Sequence, residues 1–100
     1  MANLNTQRRV ALVTGAAGGI GRAIAARMGR DGRHVVVCDV NGDGANATAR
    51  KLAEYGIPAL ALAADVADPE SVARMMQEVD RQCRRLDILV NCAGVMEGYR

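Results

Sequence analysis

Short unbroken apolar runs alternate along this chain with longer stretches in which apolar residues recur at helical spacing. The runs are Val10-Ala11-Leu12-Val13, His34-Val35-Val36-Val37-Cys38-Asp39, Ala59-Leu60-Ala61-Leu62-Ala63-Ala64 and Ile88-Leu89-Val90. Continuous aliphatic runs of this length suit strands buried on both faces of a parallel sheet. Alanine is a poor strand former, so the third strand is assigned from its place in the alternation. A first helix is predicted over residues 19–30, with Ile20, Ala23, Ile24 and Met28 as its apolar face and Gly32 as a left-handed stop. A second is predicted from an Asp43 cap to about residue 55, turning Ala45, Ala49, Leu52 and Ala53 inward and ended by Gly56 and Pro58. A third opens at Asp68-Pro69-Glu70 and runs to about residue 85, with Val72, Met75, Met76, Val79 and Cys83 inward.

The order β-α-β-α-β-α-β with short connections predicts an α/β fold, a doubly wound parallel sheet with right-handed crossovers. By analogy with Rossmann folds the strand order is 3-2-1-4, four strands and three helices, a partial version of that architecture. The switch point then falls between the first and fourth strands. Two crossovers run one way across the sheet and one runs back. The first two helices therefore share a face, and the third covers the other alone. That second face is expected to be partly bare, with the fourth strand as an apolar edge.

The connection after the first strand is Thr14-Gly15-Ala16-Ala17-Gly18-Gly19-Ile20-Gly21. A strand, a glycine turn and a helix in that order are the context in which glycines make a phosphate loop. A pyrophosphate has to approach backbone closely, where a Cβ would block it. Glycine also reaches the unusual dihedrals of the turn. The helix that follows aims its unpaired N–H groups and positive dipole end at the anion. Gly15, Gly18, Gly19, Ile20 and Gly21 are therefore candidate cofactor-binding positions.

Asp39 ends the second strand, where an acid about 20 residues past the loop accepts hydrogen bonds from an adenosine ribose. It would also repel a 2′-phosphate. Val40-Asn41-Gly42 supplies no base to reverse that, and neither does Gly18 before Gly19. Asp39 and Val40 thus favour NAD over NADP. An Asp opening a surface turn is the plainer alternative.

The loop departs from Gly-x-Gly-x-x-Gly, since position 17 is Ala. Its Thr-Gly-x-x-x-Gly-Ile-Gly spacing, with Asp39, Asp65 and Asp87-Ile88-Leu89-Val90-Asn91-Cys92-Ala93-Gly94, resembles the short-chain dehydrogenase/reductase family, over nearly all of residues 9–94. The resemblance implies a nicotinamide-dependent oxidoreductase moving a hydride between cofactor and a small alcohol or carbonyl substrate. Separately, the widely spaced cysteines and the polar first seven residues lead to the expectation of a cytoplasmic chain. For a full-length member the resemblance implies a homo-oligomer. It also implies that Asp65 contacts the adenine amino group and the Val66 backbone the ring. Asp65 is equally suited to preparing the helix that starts at Asp68-Pro69. Asn91, Ala93 and Gly94 match the family's Asn-Asn-Ala-Gly segment, with Cys92 at its second position. Asn91 either braces neighbouring strands or meets the ribose through its backbone.

Composition narrows the remaining classes. Phe and Trp are absent and only Tyr55 and Tyr99 are aromatic, so the core is aliphatic. The formal charge of +2 is too mild for nucleic acid, and aromatic stacking platforms are lacking. Cys38, Cys83 and Cys92 form no Cys-x-x-Cys pair and suit free thiols. No run approaches the ~20 apolar residues of a membrane span. With the resemblance, the chain is expected to divide into a tail over residues 1–8 and an NAD-binding domain over residues 9–100, incomplete at its C-terminus.

The family's Tyr-x-x-x-Lys pair has no counterpart here. Ala59 stands four positions after Tyr55, only Arg100 follows Tyr99, and the single Lys51 precedes both tyrosines. Alcohol oxidation needs a group to take the hydroxyl proton and a cation to keep that group's pKa low. No catalytic residue is assigned, and this chain alone is expected to be inactive. A non-catalytic adenine-nucleotide module and an inert truncated fragment are the alternatives.

Overall fold

The computed structural model describes residues 8–93. Seven elements follow in order: β1 (Val10–Thr14), α1 (Gly19–Arg30), β2 (His34–Asp39), α2 (Gly42–Glu54), β3 (Ala59–Ala63), α3 (Pro69–Cys83) and β4 (Ile88–Asn91). The strands form one parallel sheet in the order β3-β2-β1-β4, the Rossmann-like arrangement the alternation predicts. β1 is central and all five of its residues are buried. Thr14 lies opposite Cys38 of β2 and Asn91 of β4, so the carboxyl ends of these strands are level. That edge is where ligands bind in open α/β sheets.

The strands alternate their side chains between two cores. Val13, Val35 and Val37 meet Ala25 of α1, Leu52 of α2 and Ile57 of the connection that follows α2. Val10, Leu12, Val36 and Cys38 meet α3 through Met75, Val79 and Cys83. α1 and α2 thus share one face and α3 covers the other, as right-handed crossovers require. Leu89 pairs in register with Leu12, on the α3 side, yet is 60% exposed. Among the described residues β4 pairs with β1 alone, so the expected apolar edge is present.

Several local expectations give way to closer packing. The buried stripe of α1 is Gly21, Ala25 and Gly29, not Ile20 and Ala23, which face outward. Ile24 and Met28 flank that stripe, half-buried. A Cβ on Gly29 would lie 2.3 Å from Ile57 Cγ2, so the smallest residues occupy the tightest contact. On α2, Thr48 is buried and Ala53 is exposed; on α3, Met76 is exposed. Asn41, not Asp43, caps α2: its Oδ1 accepts from Gly44 N at 3.1 Å. α3 is capped as expected, with Asp68 Oδ1 accepting from Glu70 N and Pro69 in the first turn. It ends at Cys83, where Arg84 adopts the left-handed conformation at φ 65°.

The amino ends of β1 and β4 are tied by Asp87. Its Oδ2 accepts from Val10 N at 2.9 Å, and its own N–H donates to Val10 O at 3.0 Å. Arg85 grips the same carboxylate with two donors, each at 2.8 Å. The Arg85 hydrogen bonds first, and the Val10 N–H second, hold Asp87 down to about 2. A carboxylate depressed on folding stabilises above its unfolded pKa of ~3.9 and loses that contribution as pH falls through the folded value. Denaturation series between about pH 4 and pH 2 are expected to show stability falling with acid in the native chain and a flatter profile in Asp87→Asn. Equal slopes would mean the pair contributes nothing.

Candidate functional site

The glycine loop takes its shape from two steric limits. Gly15 has φ +66°, and a Cβ there would lie 2.7 Å from Ala93 N and 2.8 Å from the Cys92 carbonyl carbon. A Cβ on Gly21 would lie 2.0 Å from Gly15 O, because the first turn of α1 rests directly on the loop. Gly18 and Gly19 are different. A Cβ on either would meet nothing within 4 Å, although Gly19 holds φ +60°. Two glycines therefore close the backbone packing, and two face open space. Gly18 is the N-cap of α1 and offers no capping side chain, and no acid stands in the first turn. The positive end of the helix therefore has neither a side-chain cap nor a first-turn acid to offset it. Ile20 is exposed beside it.

The back of the loop is held by residues that sequence reasoning does not single out. The Thr48 hydroxyl, wholly buried on α2, donates to Ala16 O at 2.7 Å. Arg22 Nε donates to that hydroxyl at 2.9 Å, and Arg22 Nη2 donates to Ala17 O at 2.8 Å. Ala16 N donates to Cys38 O at 3.0 Å. α2 comes so near that a Cβ on Gly44 would lie 2.6 Å from Ala17 Cβ.

Asp39 sits at the end of β2 and holds two turns, one with each carboxylate oxygen. Oδ2 accepts from Ala17 N at 3.0 Å, and Oδ1 accepts from Asn41 N at 2.9 Å. Each oxygen keeps lone-pair capacity for a further donor. Val40 beside it is 72% exposed. Behind it, burial first and the Asp39 charge second push the Cys38 thiol up to about 11, and its Sγ lies 3.4 Å from Met75 Sδ. Burial also raises Cys83. Neither thiol is poised as a nucleophile.

Across the switch point, Thr14 Oγ1 donates to Asn91 Oδ1 at 2.6 Å. Ala93 N donates to the same hydroxyl at 3.4 Å, and Cys92 N donates to Thr14 O at 3.2 Å. Asn91 thus braces the strands with its side chain, and Cys92 packs against the α1–α2 core. Gly94 lies outside the described residues. Asp65 is placed at the same edge, but its bonds are local. Its Oδ1 accepts from Ala67 N at 2.9 Å, and its N–H donates to Ser71 Oγ at 2.9 Å, which prepares α3. Val66 is partly exposed beside it. Among the described residues no group of His, Cys, Asp or Glu could hold a metal ion, and no helix is long and apolar enough to cross a membrane.

The family model described as short chain dehydrogenase matches residues 9–99. The chain belongs to the short-chain dehydrogenase family. It is 46% identical over 89 residues to the oxidoreductase YxjF of Bacillus subtilis, covering 89% of this chain and 35% of that protein. It is 42% identical over 93 residues to the 1-deoxy-11-beta-hydroxypentalenate dehydrogenase of Streptomyces exfoliatus, covering 93% of this chain and 34% of the relative. A variant actinorhodin polyketide ketoreductase solved with NADPH superposes with TM-score 0.84 at 35% identity, over 88% of this chain and 34% of that one. The chain thus spans about a third of the length of these relatives.

The two classes of glycine separate in their expected effects on stability. Gly21→Ala forces Cβ into Gly15 O and is expected to lower the melting temperature sharply, an overpacking of at least ~1–3 kcal/mol. Gly18→Ala enters open space at an extended backbone and is expected to melt within ~0.5 kcal/mol of the parent. Thermal denaturation of the two variants checks this. Equal losses would show that the loop is not packed as described.

Proposed function

We propose that this chain is the nicotinamide-dinucleotide-binding part of a short-chain oxidoreductase, that it prefers NAD, and that it does not turn over substrate alone. The observation that carries the reading is the open face at Gly18 and Gly19 beside an Asp39 carboxylate with remaining acceptor capacity. In this reading the backbone at Gly18, Gly19 and Ile20 receives the pyrophosphate, while Gly15 and Gly21 let the loop close. Asp39 accepts from the ribose hydroxyls, with Val40 alongside. Asp65 and Val66 serve the adenine. Asn91, Ala93 and Gly94 form the floor on the β4 side. The bound nicotinamide would supply hydride chemistry; the chain's own residues bind, orient and brace. Its partners are NAD and, in a full-length enzyme, a small alcohol or carbonyl substrate in a cytoplasmic homo-oligomer, without nucleic acid or membrane.

The ketoreductase with NADPH is a relative in structure, so the NAD preference rests on this chain's own Asp39. A carboxylate close to a 2′-phosphate is a like-charge contact in a partly desolvated site. Calorimetry is expected to give NAD at least about tenfold tighter binding than NADP. Asp39→Ala with Val40→Arg is expected to narrow or invert the gap. An unmodified chain preferring NADP would show that Asp39 does not meet the ribose.

The missing Tyr-x-x-x-Lys motivates the second expectation, and it also favours the rival reading of a non-catalytic nucleotide module. Purified chain with NAD and a panel of secondary alcohols is expected to bind cofactor and form no NADH above the uncatalysed rate. Turnover that survives removal of contaminating enzymes overturns the predicted inactivity. Absence of any dinucleotide binding overturns the whole reading.

A further inference from the structure

We infer that Arg22 and Thr48 are positioning residues for the dinucleotide: they fix the orientation of two loop peptides and so aim the Gly18 N–H at the pyrophosphate. The inference rests on the cofactor reading above and adds residues to it. Its basis is peptide geometry. A trans peptide is planar, so its C=O and N–H point in opposite directions and turn together. No peptide among the described residues is cis. The Ala16–Ala17 peptide is held at both ends, its oxygen by the Thr48 hydroxyl and its N–H by Asp39 Oδ2. The Ala17 N–H is therefore already committed to protein. The Ala17–Gly18 peptide is held at its oxygen by Arg22 Nη2. With that oxygen held by Arg22, the planar peptide turns the Gly18 N–H away from it, at a residue where an added Cβ meets nothing within 4 Å.

The bond between Arg22 Nε and Thr48 Oγ1 makes the two anchors one unit. The buried hydroxyl donates to Ala16 O and accepts from Arg22, so both of its roles are filled and its rotor is fixed. Arg22 reaches two oxygens, one on α2 and one in the loop, through separate nitrogens of one rigid plane. A lysine, with a single flexible ammonium, does not reproduce that geometry. Without these anchors a carbonyl could rotate into the crevice and oppose the anion. With them the amides are preorganised before the ligand arrives, which lowers the ordering cost of binding.

The test uses the full chain with NAD and adenosine as probes, their affinities read by calorimetry and ligand-observed NMR. Thr48→Val is nearly isosteric and removes the hydroxyl; it is expected to weaken NAD roughly tenfold and adenosine less than about twofold. Thr48→Ser restores the hydroxyl and is expected to return NAD affinity to within about twofold of the parent. Arg22→Lys keeps the charge and loses the fork, and it is expected to weaken NAD as Thr48→Val does. It keeps the question answerable if the buried variant folds poorly. Amide hydrogen exchange in the unliganded chain is expected to quicken in both weakened variants at Ala17, whose N–H Asp39 holds. An NAD affinity unchanged in Thr48→Val, a full rescue by Arg22→Lys, or equal losses for NAD and adenosine would each overturn the inference while leaving the cofactor reading intact. A parent chain that binds no NAD would overturn both.

Discussion

Three backbone segments converge at Gly15: the end of β1, the first turn of α1 and the segment after β4. An added Cβ would lie 2.7 Å from Ala93 N, and one on Gly21 would lie 2.0 Å from Gly15 O. No side chain fits at either place, so the chain leaves β1 by a glycine in the left-handed region and enters α1 over another glycine. This steric limit sets the rest of the edge. It brings Thr14 within 2.6 Å of Asn91 across the switch point. It also lowers α1 onto the sheet, so that Arg22, one turn in, reaches back to the loop carbonyl it has just left.

The same demand for closeness explains what hydrophobic periodicity misread. Periodicity favours large apolar residues as the inward face. α1 instead buries Gly21, Ala25 and Gly29, because the nearest approach of a helix to a sheet leaves room only for small side chains. Ile24 and Met28 then fill the widening gap on either side, and Ile20 is left at the rim. The strands were legible because a central parallel strand is apolar on both faces, and that leaves an unbroken run in the sequence. β3 carried a weak signal of its own, being alanine-rich, and its place is set by pairing Val36 with Leu60 and Cys38 with Leu62.

In the site, what lies along the chain was readable and what lies across it was not. The spacing from Thr14 to Gly21 and the acid at the end of β2 are local patterns, and the structure brings them to one edge. The contact between Arg22 and Thr48 joins two helices, and neither residue stands in a motif. Thr48 sits where helical spacing suggests only another inward position, and its chemistry shows once Ala16 O is seen above it. The start of α2 turned on a similar point. Asn41 and Asp43 are both good caps by residue type. The choice falls to Asn41, whose N–H Asp39 Oδ1 already holds, so the helix is capped two residues earlier.

Asp39 joins these constraints into one system. An ionised carboxylate has about four acceptor sites on two oxygens. One site on Oδ2 holds the loop through Ala17 N, and one on Oδ1 holds the start of α2 through Asn41 N. The capacity that remains is what a ribose could use. In the reading proposed here, cofactor choice and loop geometry are therefore not independent. Replacing Asp39 with a small neutral residue removes the repulsion toward a 2′-phosphate, but it also frees the Ala16–Ala17 peptide that Thr48 holds from the other side. A change of preference made at this position alone would trade selectivity against preorganisation. An evolved preference for the phosphorylated cofactor would therefore need another acceptor to hold the Ala17 N–H in place.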